Sequence, residues 1–264
     1  MTDVLILGSA AVLLGSGAVL DALGTVRSQA RLNRQGVALC LAGWALLIGV
    51  VIWLWITLGR PPIRTLGETR LLYAAWLPAI AFFARWRWKT DLLVAPMAAM
   101  AVLFLVLNLM LPEARMKTLM PALQSAWFVP HVVIYMAAYA TLALSSLASA
   151  VLLVRRWMGK RDSPTTLALP NRLLWLGFPL LTAGLVIGAL WAKGAWGNYW
   201  TWDPKETWSF LTWAFYLIPL HQRVQSGESR SLWLPLLGFP IVLICWFGVN
   251  YLPTAAQSVH TYTS

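Results

Sequence analysis

The sequence predicts an all-α integral membrane protein, a bundle of about eight transmembrane helices with a tryptophan-rich loop on the extracytoplasmic side. Three observations lead to this. Of 264 residues, 59% are hydrophobic and only 11% charged, whereas a soluble globule carries about 25% charged residues; the deficit means that most of the surface faces lipid. Eight apolar runs come near the roughly 20 residues that a spanning helix needs. Lys and Arg collect in the short connections between those runs, and more on one side than on the other.

The first run, 4–24, follows Met1-Thr2-Asp3 directly. It has neither a basic leader nor a small-residue cleavage site, so it reads as a retained helix rather than a signal peptide. The others are 36–58, 70–86, 91–111, 130–154, 172–191, 204–222 and 231–251. The third is the shortest; it reads as a span or as a tilted, partly re-entrant segment. The connection 112–129, with Met120-Pro121-Ala122-Leu123-Gln124, predicts a short surface helix, and 192–203 predicts an aromatic loop. The whole chain, 1–264, reads as one polytopic domain with no internal repeat of solenoid period.

Orientation follows from the basic residues. With the N-terminus outside, the inner connections hold thirteen Lys and Arg and the outer ones seven. The excess of positive charge marks the cytoplasmic side, which places both termini and the 192–203 loop outside. Arg60, Arg64 and Arg70 are the main dissent.

A net charge of +11 invites a nucleic-acid reading. The charge, however, is spread over inter-helix connections, with no basic domain interleaved with aromatics, so nucleic-acid binding is excluded. Cys40 and Cys245 lie deep inside apolar runs, and no Cys-x-x-Cys or Cys-x-x-Cys-His occurs. The chain is therefore neither a c-type cytochrome nor a dithiol reductant, and both cysteines read as small buried hydrophobes.

The densest signal is Trp196-Gly197-Asn198-Tyr199-Trp200-Thr201-Trp202-Asp203-Pro204-Lys205-Glu206-Thr207-Trp208, where five of thirteen positions are aromatic. Asp203-Pro204-Lys205-Glu206 reads as a helix start, with Asp as N-cap, Pro at the first helical position and Glu closing a capping box. Capping explains Asp203, Pro204 and Glu206 without any ligand, and it holds alongside any function. An interfacial aromatic belt would explain a few tryptophans. It does not explain their interleaving with Gly194 and Gly197, which let a backbone come close to a guest. A platform for a large planar molecule accounts for both.

The chain has three histidines. His131 opens the fifth run after Trp127-Phe128-Val129-Pro130, and His260 lies near the C-terminus; both fall on the outer side. Singly, each reads as an interfacial polar residue. As a pair beside the aromatic loop they read as two imidazole ligands for a six-coordinate porphyrin iron. His221, in Leu220-His221-Gln222-Arg223, is about 25 Å from Pro204 at helical rise and cannot share that iron. It sits near the cytoplasmic face, as a snorkelling residue or a functional one.

These residues resemble a known family. The stretch from Trp196 to Trp208 is similar to the "WWD" signature of the haem-handling membrane proteins of cytochrome c maturation. Pro204-Lys205-Glu206-Thr207-Trp208 with Leu220-His221-x-Arg223, Pro121-Ala122-Leu123-Gln124-Ser125-x-Trp127 leading to His131-Val132, and Phe247-Gly248-Val249-Asn250-Tyr251 before His260-Thr261-Tyr262 most resemble its CcsA (ResC) branch, from about residue 60 to the end. Eight spans fit that branch. The resemblance implies that haem b is bound beside the loop (Trp196, Gly197, Tyr199, Trp200, Trp202, Asp203, Pro204, Glu206, Trp208) with His131 and His260 as external iron ligands. It implies that His221 is an inner transmembrane ligand whose mate comes from a CcsB (ResB) partner. It also implies a subunit of a holocytochrome c synthase in the bacterial inner (plasma) membrane, which presents haem to the Cys-x-x-Cys-His segment of apocytochrome c. The other reading is a haem-binding regulator or haem transporter without attachment activity. Val129-Pro130 departs from the usual residues before the external histidine, and a proline there shifts the start of helix five and His131 with it. Arg60, Arg64, Lys193 and Lys205 are the candidate partners for the haem propionates.

Overall fold

The computed structural model describes residues 2–111, 121–226, 232–253 and 258. Among these, eight long helices occur and no strand. They fall into two compact units, Met1–Leu119 and Met120–Ser264. Val4–Arg27, Ala30–Leu58, Phe128–Trp157 and the stretch 164–196 are long and apolar enough to cross a membrane.

The first unit holds α1 (Thr2–Arg27), α2 (Ala30–Leu58), α3 (Leu66–Trp88) and α4 (Val94–Met110). A tight turn with Ser28 at φ 55° folds α2 back along α1. Small residues let the two backbones touch, as in other membrane helix pairs. A Cβ on Gly17 would lie 2.6 Å from Cys40 Sγ, and one on Gly43 would lie 2.9 Å from Leu14 Cγ. Cys40 is fully buried in this seam and is a free thiol, as expected.

The third apolar run is longer than the sequence suggested. Thr65 Oγ1 accepts from the Glu68 amide at 3.2 Å, which caps α3 at Leu66. Its 23 residues rise about 34 Å, so α3 is a continuous helix long enough to span. Glu68 is buried and grips Arg60 through two bonds, Nη1 to Oε2 and Nη2 to Oε1, both 2.9 Å. The Arg64 amide adds a third donor at 2.7 Å. Arg70 donates to the Leu111 carbonyl at 3.2 Å. Two of the three dissenting arginines are thus drawn into the fold itself.

The second unit holds a 3₁₀ turn (Pro121–Gln124), α5 (Phe128–Trp157), a single turn α6 (Pro164–Leu167), α7 (Leu169–Trp196), α8 (Pro204–Ser226), α9 (Trp233–Trp246) and a closing 3₁₀ turn (Gly248–Tyr251). The expected surface helix in 112–129 is the first 3₁₀ turn, with Leu123 buried. α5 is the core of the unit, lined by Tyr135, Tyr139, Leu142 and a column of Ser and Thr. α7 lies against it through Gly177, Gly184 and Gly188, spaced to fall on one helix face. Cβ atoms on Gly177 and Gly184 would meet Leu142 at 2.9 Å and the Tyr135 ring at 3.1 Å.

Two predicted bounds are corrected. The 192–203 loop begins later, because α7 runs on to Trp196 before Gly197, at φ 83°, caps it in the left-handed conformation. The eighth span is shorter, because regular helix covers only the 14 residues Trp233–Trp246, and the chain tightens into 3₁₀ geometry.

Candidate functional site: an imidazole against a tryptophan wall

Pro130 stands in the first turn of α5, where an amide has no intrahelical partner in any case. The helix therefore begins at Phe128, and His131 follows as its fourth residue, its own amide donating to the Trp127 carbonyl at 3.1 Å. The imidazole turns its Nδ1–Cε1 edge to α7. Its Nδ1 is 2.9 Å from the Gly184 carbonyl oxygen. A carbonyl only accepts, so Nδ1 bears a proton, and in the neutral ring Nε2 keeps the lone pair. A Cβ on Gly188 would sit 2.6 Å from His131 Cε1, so this close seat requires glycine.

Aromatic rings hold the imidazole on its other sides. Trp191 stacks on it at 5.5 Å and 25°, and Tyr135 meets it edge-on at 4.7 Å and 84°. Trp191 is buried and fixed, its Nε1 donating to the Ala122 carbonyl at 2.7 Å. Trp196 packs on Trp191 at 4.8 Å and 62°. The structure thus brings His131 and Trp196 together through Trp191. Sequence reading missed Trp191 because it closes an apolar run; the glycines three and seven residues before it, Gly188 and Gly184, were the available sign of a close-packed seam.

The loop between α7 and α8 is built around Glu206. Its Oε2 accepts from the Thr201 amide at 2.7 Å, the Thr201 hydroxyl at 3.3 Å and the Asp203 amide at 3.2 Å. Asp203 Oδ1 accepts in return from the Lys205 amide at 2.9 Å. This is the capping box that the sequence predicts, and both carboxylates are buried. Ser258 Oγ also donates to Asp203 Oδ1 at 2.9 Å, which ties the C-terminal stretch to the loop. His260, two residues on, lies outside the described residues.

Above this frame the rings fan outward. Trp200 is half-buried and meets Trp202 edge-on at 5.8 Å and 86°. Trp202 is 64% exposed, with its backbone at φ 60°, and leans on Phe210 at 5.9 Å. A left-handed tryptophan costs about 1–2 kcal/mol, which the capping network around it holds in place. Tyr199 is exposed, with Lys193 Nζ 5.4 Å from its ring centre, and the same ammonium donates to the Gly197 carbonyl at 2.7 Å. Trp208 is half-buried on α8.

Two further residues complete the account. His221 is exposed, its Nδ1 2.9 Å from the Leu217 carbonyl, and α8 separates it from the loop. Cys245 is buried and free, as expected, but it also joins three helices. Tyr139 Oη lies 3.7 Å and Ser209 Oγ 3.5 Å from its sulfur. Among the described residues no group of three or more His, Cys, Asp or Glu forms a metal site. A porphyrin iron asks for less, one imidazole nitrogen with a lone pair on each face, and His131 has the tautomer to give one.

Residues 66–256 match the family model "Cytochrome C assembly protein". The chain is 34% identical to "Cytochrome c biogenesis protein CcsA" of Chlamydomonas reinhardtii over 234 residues, which covers 82% of this chain and 65% of that protein. Its namesakes in Guillardia theta and in Synechococcus sp. (strain RCC307) are 35% and 33% identical, with 79% and 83% of this chain and 78% and 83% of theirs covered. In fold it is similar to the solved structure "Cytochrome c Heme Lyase CcmF", with a TM-score of 0.71 at 18% identity, over 95% of this chain and half of that one.

Proposed function

Because this chain belongs to the cytochrome c assembly protein family, among relatives named CcsA, we propose that it binds haem b at the extracytoplasmic face and presents it for covalent attachment to apocytochrome c. It is a multi-pass membrane protein of cytochrome c biogenesis, and haem is its substrate. The observation that supports the reading best is the seat of His131. A hydrogen bond to Gly184 fixes its tautomer, and a tryptophan stacks on its ring. Orienting a ligand imidazole through its other nitrogen is the usual way a protein sets a metal ligand.

His260 is the second external ligand. Ser258, two positions before it in the sequence, is anchored to Asp203. Trp196, Trp200, Trp202 and Tyr199 cover the porphyrin by apolar burial and ring contact. Gly197, Asp203, Pro204 and Glu206 shape the loop that holds them, and Trp208 supports it from α8. With both axial positions taken by imidazoles, the iron offers oxygen no open site, and the vinyl edge is turned outward. Each thiol of an incoming Cys-x-x-Cys-His segment then adds across one vinyl group. Sulfur bonds to one vinyl carbon, the thiol proton goes to the other, and no electrons are lost or gained. The incoming histidine replaces one of the two held imidazoles, which frees the product.

His221 receives haem on the inner side, with its mate from a CcsB (ResB) type partner. The family resemblance puts the chain in the bacterial inner membrane, and the distribution of Lys and Arg puts both termini and the loop outside.

A visible spectrum of the purified protein, compared with His131→Gly and His260→Gly, tests the site. The expected result is a low-spin haem signal in the wild type, lost in each variant and restored by imidazole. A signal unchanged in both variants removes the two histidines from the site.

A further inference from the structure

A buried indole N–H in the loop has no acceptor among the described residues. Trp200 Nε1 is closed off from solvent, and no hydrogen-bond partner faces it among the described residues. Trp191 and Trp213, in the same unit, donate to the Ala122 carbonyl at 2.7 Å and to Thr182 Oγ1 at 2.9 Å. Leaving a buried donor unpaired costs about 1–3 kcal/mol, so such groups call for an explanation.

Two acceptor oxygens of the loop, close in sequence, are committed elsewhere. Glu206 Oε2 already takes three donors and Asp203 Oδ1 two, all from the helix start, Thr201 or Ser258. These oxygens serve the helix start, Thr201 and Ser258, while the indole N–H meets no acceptor among the described residues. Trp202, which leans edge-on against Trp200, is largely exposed, so the pair lies at the rim of the loop.

We propose that Trp200 Nε1 donates to a carboxylate of the bound porphyrin, so that this tryptophan selects for the propionate edge and is more than a stacking face. The inference rests on the haem-binding reading above and adds the partner of the propionate. It also bears on the basic residues considered from sequence. Arg60 is closed in a two-bond pair with Glu68 inside the first unit, so it could receive a propionate only by displacing that buried carboxylate. Lys193 is held by the Gly197 carbonyl.

The test uses the full-length protein in nanodiscs, titrated separately with haem and with haem dimethyl ester, in which both carboxylates are masked. Trp200→Phe keeps a ring and deletes the N–H. A hydrogen bond to an ionised acceptor corresponds to about tenfold or more in affinity. The expected result is at least that loss for haem in Trp200→Phe, no change for the ester, and recovery of the preference for haem over ester in Trp200→Gln, which restores an N–H donor. Trp202→Phe is expected to treat the two ligands alike. Equal weakening of both ligands by Trp200→Phe, or of neither, overturns the proposal while haem binding stands. A wild type that binds neither porphyrin overturns the functional reading and this proposal with it. Should Trp200→Phe not fold, Trp200→Gln alone decides: a retained preference for haem supports the donor role, and a lost one overturns it.

Discussion

Replacing Gly188 by alanine is the sharpest residue-scale experiment. The new methyl would stand 2.6 Å from His131 Cε1, and the ring cannot retreat freely between the Gly184 carbonyl and Trp191. The expected outcome is loss of low-spin haem, as in His131→Gly, in a protein that still folds. Gly49→Ala, where nothing lies within 4 Å of the new Cβ, is expected to leave the spectrum alone and hold or raise the thermal midpoint, since alanine is favoured over glycine in a helix by about 1 kcal/mol. The position of His131 at the start of α5 was legible in the sequence. Its seat was not, because Gly184 and Gly188 acquire meaning only once α7 packs on α5, and no local pattern states that pairing. Trp191 stayed hidden for the same reason.

Among elements, the start of α8 was the most readable, since Asp203, Pro204 and Glu206 each have a strong local preference that agrees with the others. Glu206→Ala removes the acceptor of three donors. It is expected to cost about 1–3 kcal/mol, seen as a lower thermal midpoint and faster hydrogen exchange at the Thr201 and Asp203 amides. Glu206→Gln, which keeps an acceptor oxygen, is expected to lose about half as much. The end of α7 was misjudged because density of aromatics was taken as a sign of loop. Trp196 is helical, and Gly197, the residue that can turn left-handed at no steric cost, marks the boundary. α3 was read too short because its first turn holds Glu68, a charged residue whose partner Arg60 lies elsewhere in the first unit.

At the scale of the molecule, composition pointed to the membrane class and the apolar runs to the number of long helices, because lipid tolerates little else than apolar helices. The basic cluster at Arg60, Arg64 and Arg70 resisted an orientation rule because packing governs it. Arg60 and Glu68 are both buried, so Arg60→Met alone strands a carboxylate and is expected to cost about 3–5 kcal/mol. Arg60→Met with Glu68→Gln is expected to recover most of that, measured as thermal midpoints in one detergent. The shortness of α9 reaches beyond the protein. Its 14 residues rise about 21 Å, well below a hydrocarbon thickness near 30 Å, so the lipid beside it must pinch inward or the helix must be sheltered by its neighbours. Thermal midpoints compared across vesicles of increasing acyl-chain length should then fall as the chains lengthen, which would make membrane thickness itself a variable in how well this protein holds together.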